Sequence, residues 1–130
     1  MQPQDVRTQD PNIRETPTLI ASDKVEGTAV YDVNDNHIGS IERIILEKHG
    51  GRVAYAVLSF GGFLGIGNER YPLPWEKLTY DERLDGYRID LTKEQIENAP
   101  SLDDDDDSGE WFRDNGRKIY DYYGVPPYWI

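Results

Sequence analysis

The sequence predicts a mainly β fold, a small six-stranded barrel with a short helix after the last strand and a C-terminal helical, aromatic tail. Three observations carry this expectation. Short runs rich in Val, Ile, Thr and Tyr recur through the middle of the chain, and Asn, Asp and Gly turns separate them. The most apolar run, Val53 to Phe60, enters a glycine-rich loop and returns as Tyr71-Pro72-Leu73-Pro74-Trp75. Beyond an acidic break the chain becomes unusually aromatic. Closing the strands into a barrel removes the exposed edges that so short and apolar a set would otherwise present.

Residues 1–17 are polar and hold three prolines, and they read as a flexible N-terminal arm. Order begins near Thr18, and residues 18–99 form the barrel domain. Ala21 to Lys24 fits one helical turn capped by Ser22 or Asp23. Val25 to Asp32 favours a strand, because Gly27 weakens a helix and Val, Thr and Tyr suit a sheet. Asn34-Asp35-Asn36 is turn chemistry. His37 to Lys48 alternates and then becomes continuously apolar at Ile44-Ile45-Leu46. A helix from Ile41 to Lys48 is an alternative, but β-branched content and a turn on each side favour a strand.

His49-Gly50-Gly51 closes a hairpin into the central strand, which ends at Phe60. The prolines at positions 72 and 74 cannot donate ladder hydrogen bonds, so they mark an edge strand or a strand end. A turn and a short strand run to Tyr80, a further turn spans Asp81 to Gly86, and Tyr87 to Leu91 is the last strand. Thr92 and Gln95 form a capping box that opens a short helix, which Pro100 stops. Residues 100–109 are an acidic linker containing five successive aspartates. In residues 110–130, Trp111, Phe112, Ile119, Tyr122 and Tyr123 share a helical face that Gly116 weakens.

Composition excludes several functions. A chain of 130 residues suits one domain with tails. Its net charge of −11 and lack of clustered Lys or Arg argue against nucleic acid. With no cysteine, disulfides, thiol catalysis and thiolate metal sites drop out. No apolar run approaches the ~20 residues of a membrane-spanning helix, so direct membrane insertion is not expected. The N-terminus lacks the apolar core of a signal peptide, and the expectation is a cytoplasmic protein.

Residues 19–99 resemble the PRC-barrel family, which includes the cytoplasmic domain of the photosynthetic reaction-centre H subunit and the C-terminal domain of a ribosome maturation factor. The likeness lies in Gly27-x-x-Val30-Tyr31-Asp32, in His37-Ile38-Gly39 followed by Ile41, in the loop Gly61 to Gly67, and in Pro72-x-Pro74-Trp75. The loop and the proline–tryptophan end look most like the small stand-alone bacterial members. The resemblance implies a six-stranded barrel acting as an assembly or adaptor module without catalytic machinery. Reaction-centre members work on a membrane complex, so docking on such a complex is a further possibility it raises. This sequence has neither the transmembrane helix of those members nor the second domain of the maturation factor.

Each motif that invites chemistry has a plainer reading. The glycine loop lacks the Gly-Lys-Ser/Thr end of a P-loop, since Gly67 is followed by Asn68-Glu69-Arg70. It also lacks the third glycine and following helix of a dinucleotide fingerprint. Its glycines read instead as a tight crossover that either plugs the barrel with Phe63, Leu64 and Ile66 or presents them to a partner. Asp104, Asp106, Ser108 and Gly109 fit the start of a calcium loop, but Asn115 stands where a bidentate Glu is needed. Asp32, Asn34 and Asn36 begin similarly and then fail at His37 and Arg43. His37 and His49 have no partner in sequence for a metal site. The serines lack a nucleophile-elbow context, and Glu69 and Glu76 make a carboxylate pair that an acidic chain produces by chance.

The expected function is a non-enzymatic protein-interaction and assembly module that self-associates as a homodimer and meets a further protein. The candidate interface is Phe63, Leu64, Ile66, Trp75, Trp111, Phe112, Tyr122, Tyr123 and Trp129, because aromatic side chains with polar tips favour interfaces. The tail docks on a barrel, its own or that of a dimer mate. No catalytic residue, cofactor or metal site is assigned. The alternative is a regulatory protein that binds a small ligand or calcium through its acidic turns.

Overall fold

A computed structural model of the chain describes residues 15–60, 69–101 and 109–126, with the side chains of residues 109–114 not described. Six strands form one sheet: β1 (Ala29–Tyr31), β2 (His37–Leu46), β3 (Val53–Phe60), β4 (Glu69–Pro74), β5 (Leu78–Asp81) and β6 (Gly86–Ile89). The helices are α1 (Ser22–Val25), α2 (Lys93–Glu97) and α3 (Gly109–Tyr123), and a 3₁₀ turn covers Trp75–Lys77. The strand order is β4-β3-β2-β1-β6-β5. All pairings are antiparallel except β1 with β6, which is parallel.

The sheet curls into a half-barrel. Its two end strands, β4 and β5, share no ladder among the described residues, and the 3₁₀ turn joins them covalently. The prolines account for this. Pro72 and Pro74 face Val57 and Tyr55 across the β3 ladder. Neither has an N–H, so the outer edge of β4 has no donor at two alternate positions. The expected closure therefore comes from the chain's own corner and not from a sixth ladder.

Register sorts the side chains. Ile41, Leu58, Leu73, Val30, Ile89 and Leu78 are cross-strand neighbours on the concave face and are almost wholly buried. They fill the barrel interior. The run expected as a strand is one, and bulges in β2 between Ile41 and Arg43, and between Ile45 and Leu46, break its alternation where the sequence becomes continuously apolar. Gly39 in β2 is required by contact: a Cβ there would collide with the carbonyl of Ser59 on β3.

Val25 ends α1 and does not begin a strand, and Gly27 takes φ +90° before β1 starts at Ala29. The α1 cap also differs from expectation. Ala21 holds the N-cap position with no side-chain bond, so neither Ser22 nor Asp23 caps it. At α2 the capping box forms as the sequence predicts: Gln95 N–H donates to Thr92 Oγ1 at 3.2 Å and Thr92 N–H donates to Gln95 Oε1 at 2.8 Å.

Both faces of β3 are buried, with Tyr55 and Val57 as inaccessible as Ala56 and Leu58. The half-barrel covers only the concave face. Helix α3 covers the other side, packing on β4 and β3. The Tyr120 ring meets Tyr55 edge-on at 5.5 Å, and its hydroxyl donates to the Ala54 carbonyl at 2.7 Å. Gly116, Ile119, Tyr120 and Tyr123 make the buried stripe of α3, at helical spacing. Tyr120 belongs to the stripe although the sequence pattern omitted it, and Tyr122 turns outward, 43% exposed.

Ile119→Ala is expected to lose about 2–4 kcal/mol, and Tyr120→Phe about 1–2 kcal/mol through the hydrogen bond to Ala54. Tyr122→Phe costs less than about 1 kcal/mol because its ring stays at the surface. Thermal unfolding of the three variants checks this order, at about 3–6 °C per kcal/mol for a chain of this size.

Candidate interaction surface

The corner between β4 and β5 builds an apolar groove. Pro74 ends β4 in extended geometry, and the 3₁₀ turn then carries Trp75 to the corner. In the next hairpin, Leu78 pairs with Ile89 and Tyr80 with Tyr87, so these side chains share a face. Trp75 and Tyr80 both set themselves edge-to-face on Tyr87, with centroids at 5.3 and 5.2 Å and ring planes at 61° and 80°. Such pairs contribute about 0.5–1.5 kcal/mol beyond area burial, which holds the three rings as one unit.

Residues 15–20 supply the opposite wall. They form a tight turn in which Glu15 bridges Ile20, Thr16 N–H donates to the Leu19 carbonyl at 2.7 Å, and Leu19 N–H donates to Thr16 Oγ1 at 2.8 Å. The cavity between wall and rings has a volume of about 510 Å³, and Leu19, Ile20, Trp75, Leu78, Tyr80 and Tyr87 give it an apolar lining. Glu15 and Glu82 add carboxylates. The Tyr80 hydroxyl lies 2.8 Å from Asp85 Oδ1 and 2.9 Å from Glu15 Oε2, tying the wall to the hairpin.

A second cavity of about 480 Å³ is polar and lies between the β1–β2 turn and α2. Its Asp32 is 3% exposed, and Oδ1 accepts the backbone N–H groups of Asn34 at 2.8 Å and Asn36 at 2.9 Å. That carboxylate anchors the turn, in which Asp35 takes φ +66°. Asp35 pairs in turn with Arg83 at 3.0 Å and Arg88 at 3.1 Å, and both arginines also approach Asp81. Among the described residues, no group of three His, Asp or Glu side chains is placed to hold a metal ion. Glu69 and Glu76 stand at opposite ends of β4: one accepts the Tyr71 hydroxyl at 2.6 Å and the other faces Arg52 at 3.9 Å.

The sequence candidates fall into three groups. Trp75 sits in the groove, half-buried. Tyr123 is buried in the chain's own core, and Tyr122 is exposed with its hydroxyl on the Gln95 carbonyl at 2.5 Å. Trp111 and Phe112 lie in the first half of α3, where side chains are not described, and Phe63, Leu64, Ile66 and Trp129 lie outside the described residues, as does the aspartate run. Sequence reasoning passed over Tyr80, Tyr87 and the residue 15–20 wall. The tyrosines carried a signal, because they stand equally far from the centre of the Asp81–Gly86 turn and so must face each other across the hairpin.

Comparison with known families gives the architecture its name. The model of the PRC-barrel domain matches residues 17–96. The chain belongs to the PRC-barrel family. The matched span takes in all six strands, the groove corner and α2 up to Ile96, while α3 lies beyond it. This PRC barrel thus carries its outer cover on a segment outside the family unit. No curated protein matches the chain. No helix among the described residues is long and apolar enough to cross a membrane.

Several tyrosines of the barrel are held neutral. Burial raises the hydroxyl pKa of Tyr55 and of Tyr123, and burial with the Glu69 hydrogen bond raises that of Tyr71. Tyr80 is raised chiefly by its hydrogen bond to Asp85. A tyrosine with a raised folded pKa stabilises the fold fully below its unfolded value near 10, and that contribution is lost as pH climbs through the folded value. Stability is therefore expected to fall steeply above about pH 10. In a titration followed at the tyrosinate absorbance, part of the tyrosines should ionise only together with unfolding. Independent ionisation of all of them near pH 10 in folded protein contradicts the placement.

Proposed function

We propose that the protein is a non-enzymatic interaction and assembly module that works through its accessible surfaces and not through an enclosed ligand site. One observation carries this reading. The interior is filled by side chains such as Ile41, Leu58, Leu73 and Ile89, each at most 1% exposed, which leaves no lumen between them for a ligand among the described residues. Recognition then falls to surfaces, and of the two cavities described above the aromatic corner at Trp75 is the more apolar. The family supports the reading at a general level, since a PRC barrel is consistent with a protein-binding unit.

In the finer form of the proposal the protein is a bacterial cytoplasmic adaptor. It forms a homodimer and docks on a larger complex, one held at a membrane included. Its acidity favours a basic partner and repels anionic lipid. The competing reading, a calcium-responsive regulator, draws nothing from the Asp32 turn, whose carboxylate is already engaged by backbone N–H groups.

Light scattering on the full chain over a concentration series tests the assembly. A dimer is expected, and Phe63→Ser with Leu64→Ser should return it to monomer with the melting temperature unchanged. A monomer at every concentration, together with no capture of protein from native extract on the immobilised chain, overturns the module reading. A calcium titration by tryptophan fluorescence is expected to show no change at millimolar metal.

A further inference from the structure

We propose that the groove at the β4–β5 corner binds an extended, basic segment of a partner protein, with an arginine or lysine side chain held against the rings of Trp75 and Tyr80, which the buried Tyr87 backs. The inference rests on the reading of the protein as an interaction module and says which partner chemistry that module takes. Three features meet at one place.

The first is the set of rings. Trp75 and Tyr80, both half-buried, stand at steep angles to the buried Tyr87 ring that supports them, and they present π surface to the groove. A cation near an aromatic face is attracted by the ring quadrupole, and several rings at an angle add their attractions. Guanidinium is favoured over ammonium, because it is planar, stacks on rings and is more weakly hydrated.

The second is charge. Glu15 and Glu82 line the groove, and Asp85 lies at its margin beside the Tyr80 hydroxyl. Lys24 offsets Glu15 in part, at 3.7 Å. Glu82 is exposed and has no ion pair among the described residues. The neighbouring cations Arg83 and Arg88 are occupied by Asp35 and Asp81. Among the described residues the charge at the groove is therefore negative on balance, on a chain of net charge −11. A basic segment gains from that field on approach, whereas an acidic or C-terminal carboxylate segment is repelled.

The third is the sheet edge. Strand β5 ends the hydrogen-bonded order, so one side of its backbone has no strand on it among the described residues. An extended peptide laid beside such an edge gains main-chain hydrogen bonds while alternate side chains point into a pocket. This edge favours a peptide over a small free cation. The apolar wall at Leu19 and Ile20 then suits an aliphatic neighbour of the bound cation.

The test uses the full chain with ¹⁵N-labelled tryptophan, its Trp75 indole signal assigned with Trp75→Phe. The probe is a capped decapeptide of alternating arginine and leucine, set against the same peptide with glutamine for arginine, in about 150 mM salt to damp unspecific attraction. The arginine peptide is expected to shift the Trp75 signal saturably and to bind at least about tenfold tighter than the glutamine peptide. Glu82→Lys, at an exposed turn, should weaken binding by about tenfold and leave the melting temperature unchanged. Glu94→Lys, equally exposed but at the second cavity, should stay within about twofold.

The proposal is overturned if the two peptides bind alike, if binding leaves the Trp75 signal in place, or if Glu94→Lys weakens binding as much as Glu82→Lys. It is also overturned if ending the chain at Pro126 shifts the Trp75 signal without any peptide, since the groove then holds the protein's own tail. If the peptide fails while the full chain still dimerises, this inference falls and the module reading stands.

Discussion

Strand β3 needs cover on two sides, and the rest of the fold is arranged around supplying it. Its concave side chains, Ala56, Leu58 and Phe60, are covered by the curl of the sheet, and its convex ones, Tyr55 and Val57, are equally inaccessible. A half-barrel alone leaves that second face in water. Residues 116–123 of α3 close it, with the Tyr120 hydroxyl on Ala54 and its ring on Tyr55. Burying a Tyr, Ile or Val side chain removes about 1.5–3 kcal/mol of unfavourable exposure. Leaving Tyr55, Val57, Ile119 and Tyr120 open would therefore cost a large part of a domain's net stability. The C-terminal helix is thus part of the folded unit although the family span ends before it.

The same strand pair fixes where the groove falls. Pro72 and Pro74 remove two donors from the outer edge of β4, so the sheet ends there and the chain must turn a corner to reach β5. Trp75 is the corner residue. Its ring comes to rest on Tyr87, Tyr80 joins from the facing strand, and the residue 15–20 turn stands opposite. A device that blunts one sheet edge therefore also creates an aromatic recess beside the other. The acid residues around it give the recess a sign of charge as well as a shape.

Much of the fold was legible because it rests on local chemistry. The Asn34-Asp35-Asn36 turn, the proline edge and the Thr92–Gln95 capping box each follow from what those residues do with their own backbone. The parts that were not legible depend on distant contacts. The β2 bulges shift Ile44 and Ile45 out of simple alternation because of their pairing with β3. The identity of the buried stripe on α3 is decided by Tyr55 and Ala54, more than sixty positions away in the chain. In the groove only Trp75 announced itself, as an aromatic residue after two prolines. Tyr80 and Tyr87 look like ordinary strand residues until the hairpin register sets them opposite one another. Nothing in Thr16-Pro17-Thr18 foretells that this turn faces them.

The central claim is that α3 and β3 share one folded core. Native-state amide hydrogen exchange on the full chain tests it most directly, because it reads the opening free energy of each segment separately. The account predicts that the amides of residues 119–123 and of 54–58 exchange with the same, slowest protection, and that this protection does not change with protein concentration. Helix amides exchanging far faster than those of β3, or gaining protection only as concentration rises, would contradict it.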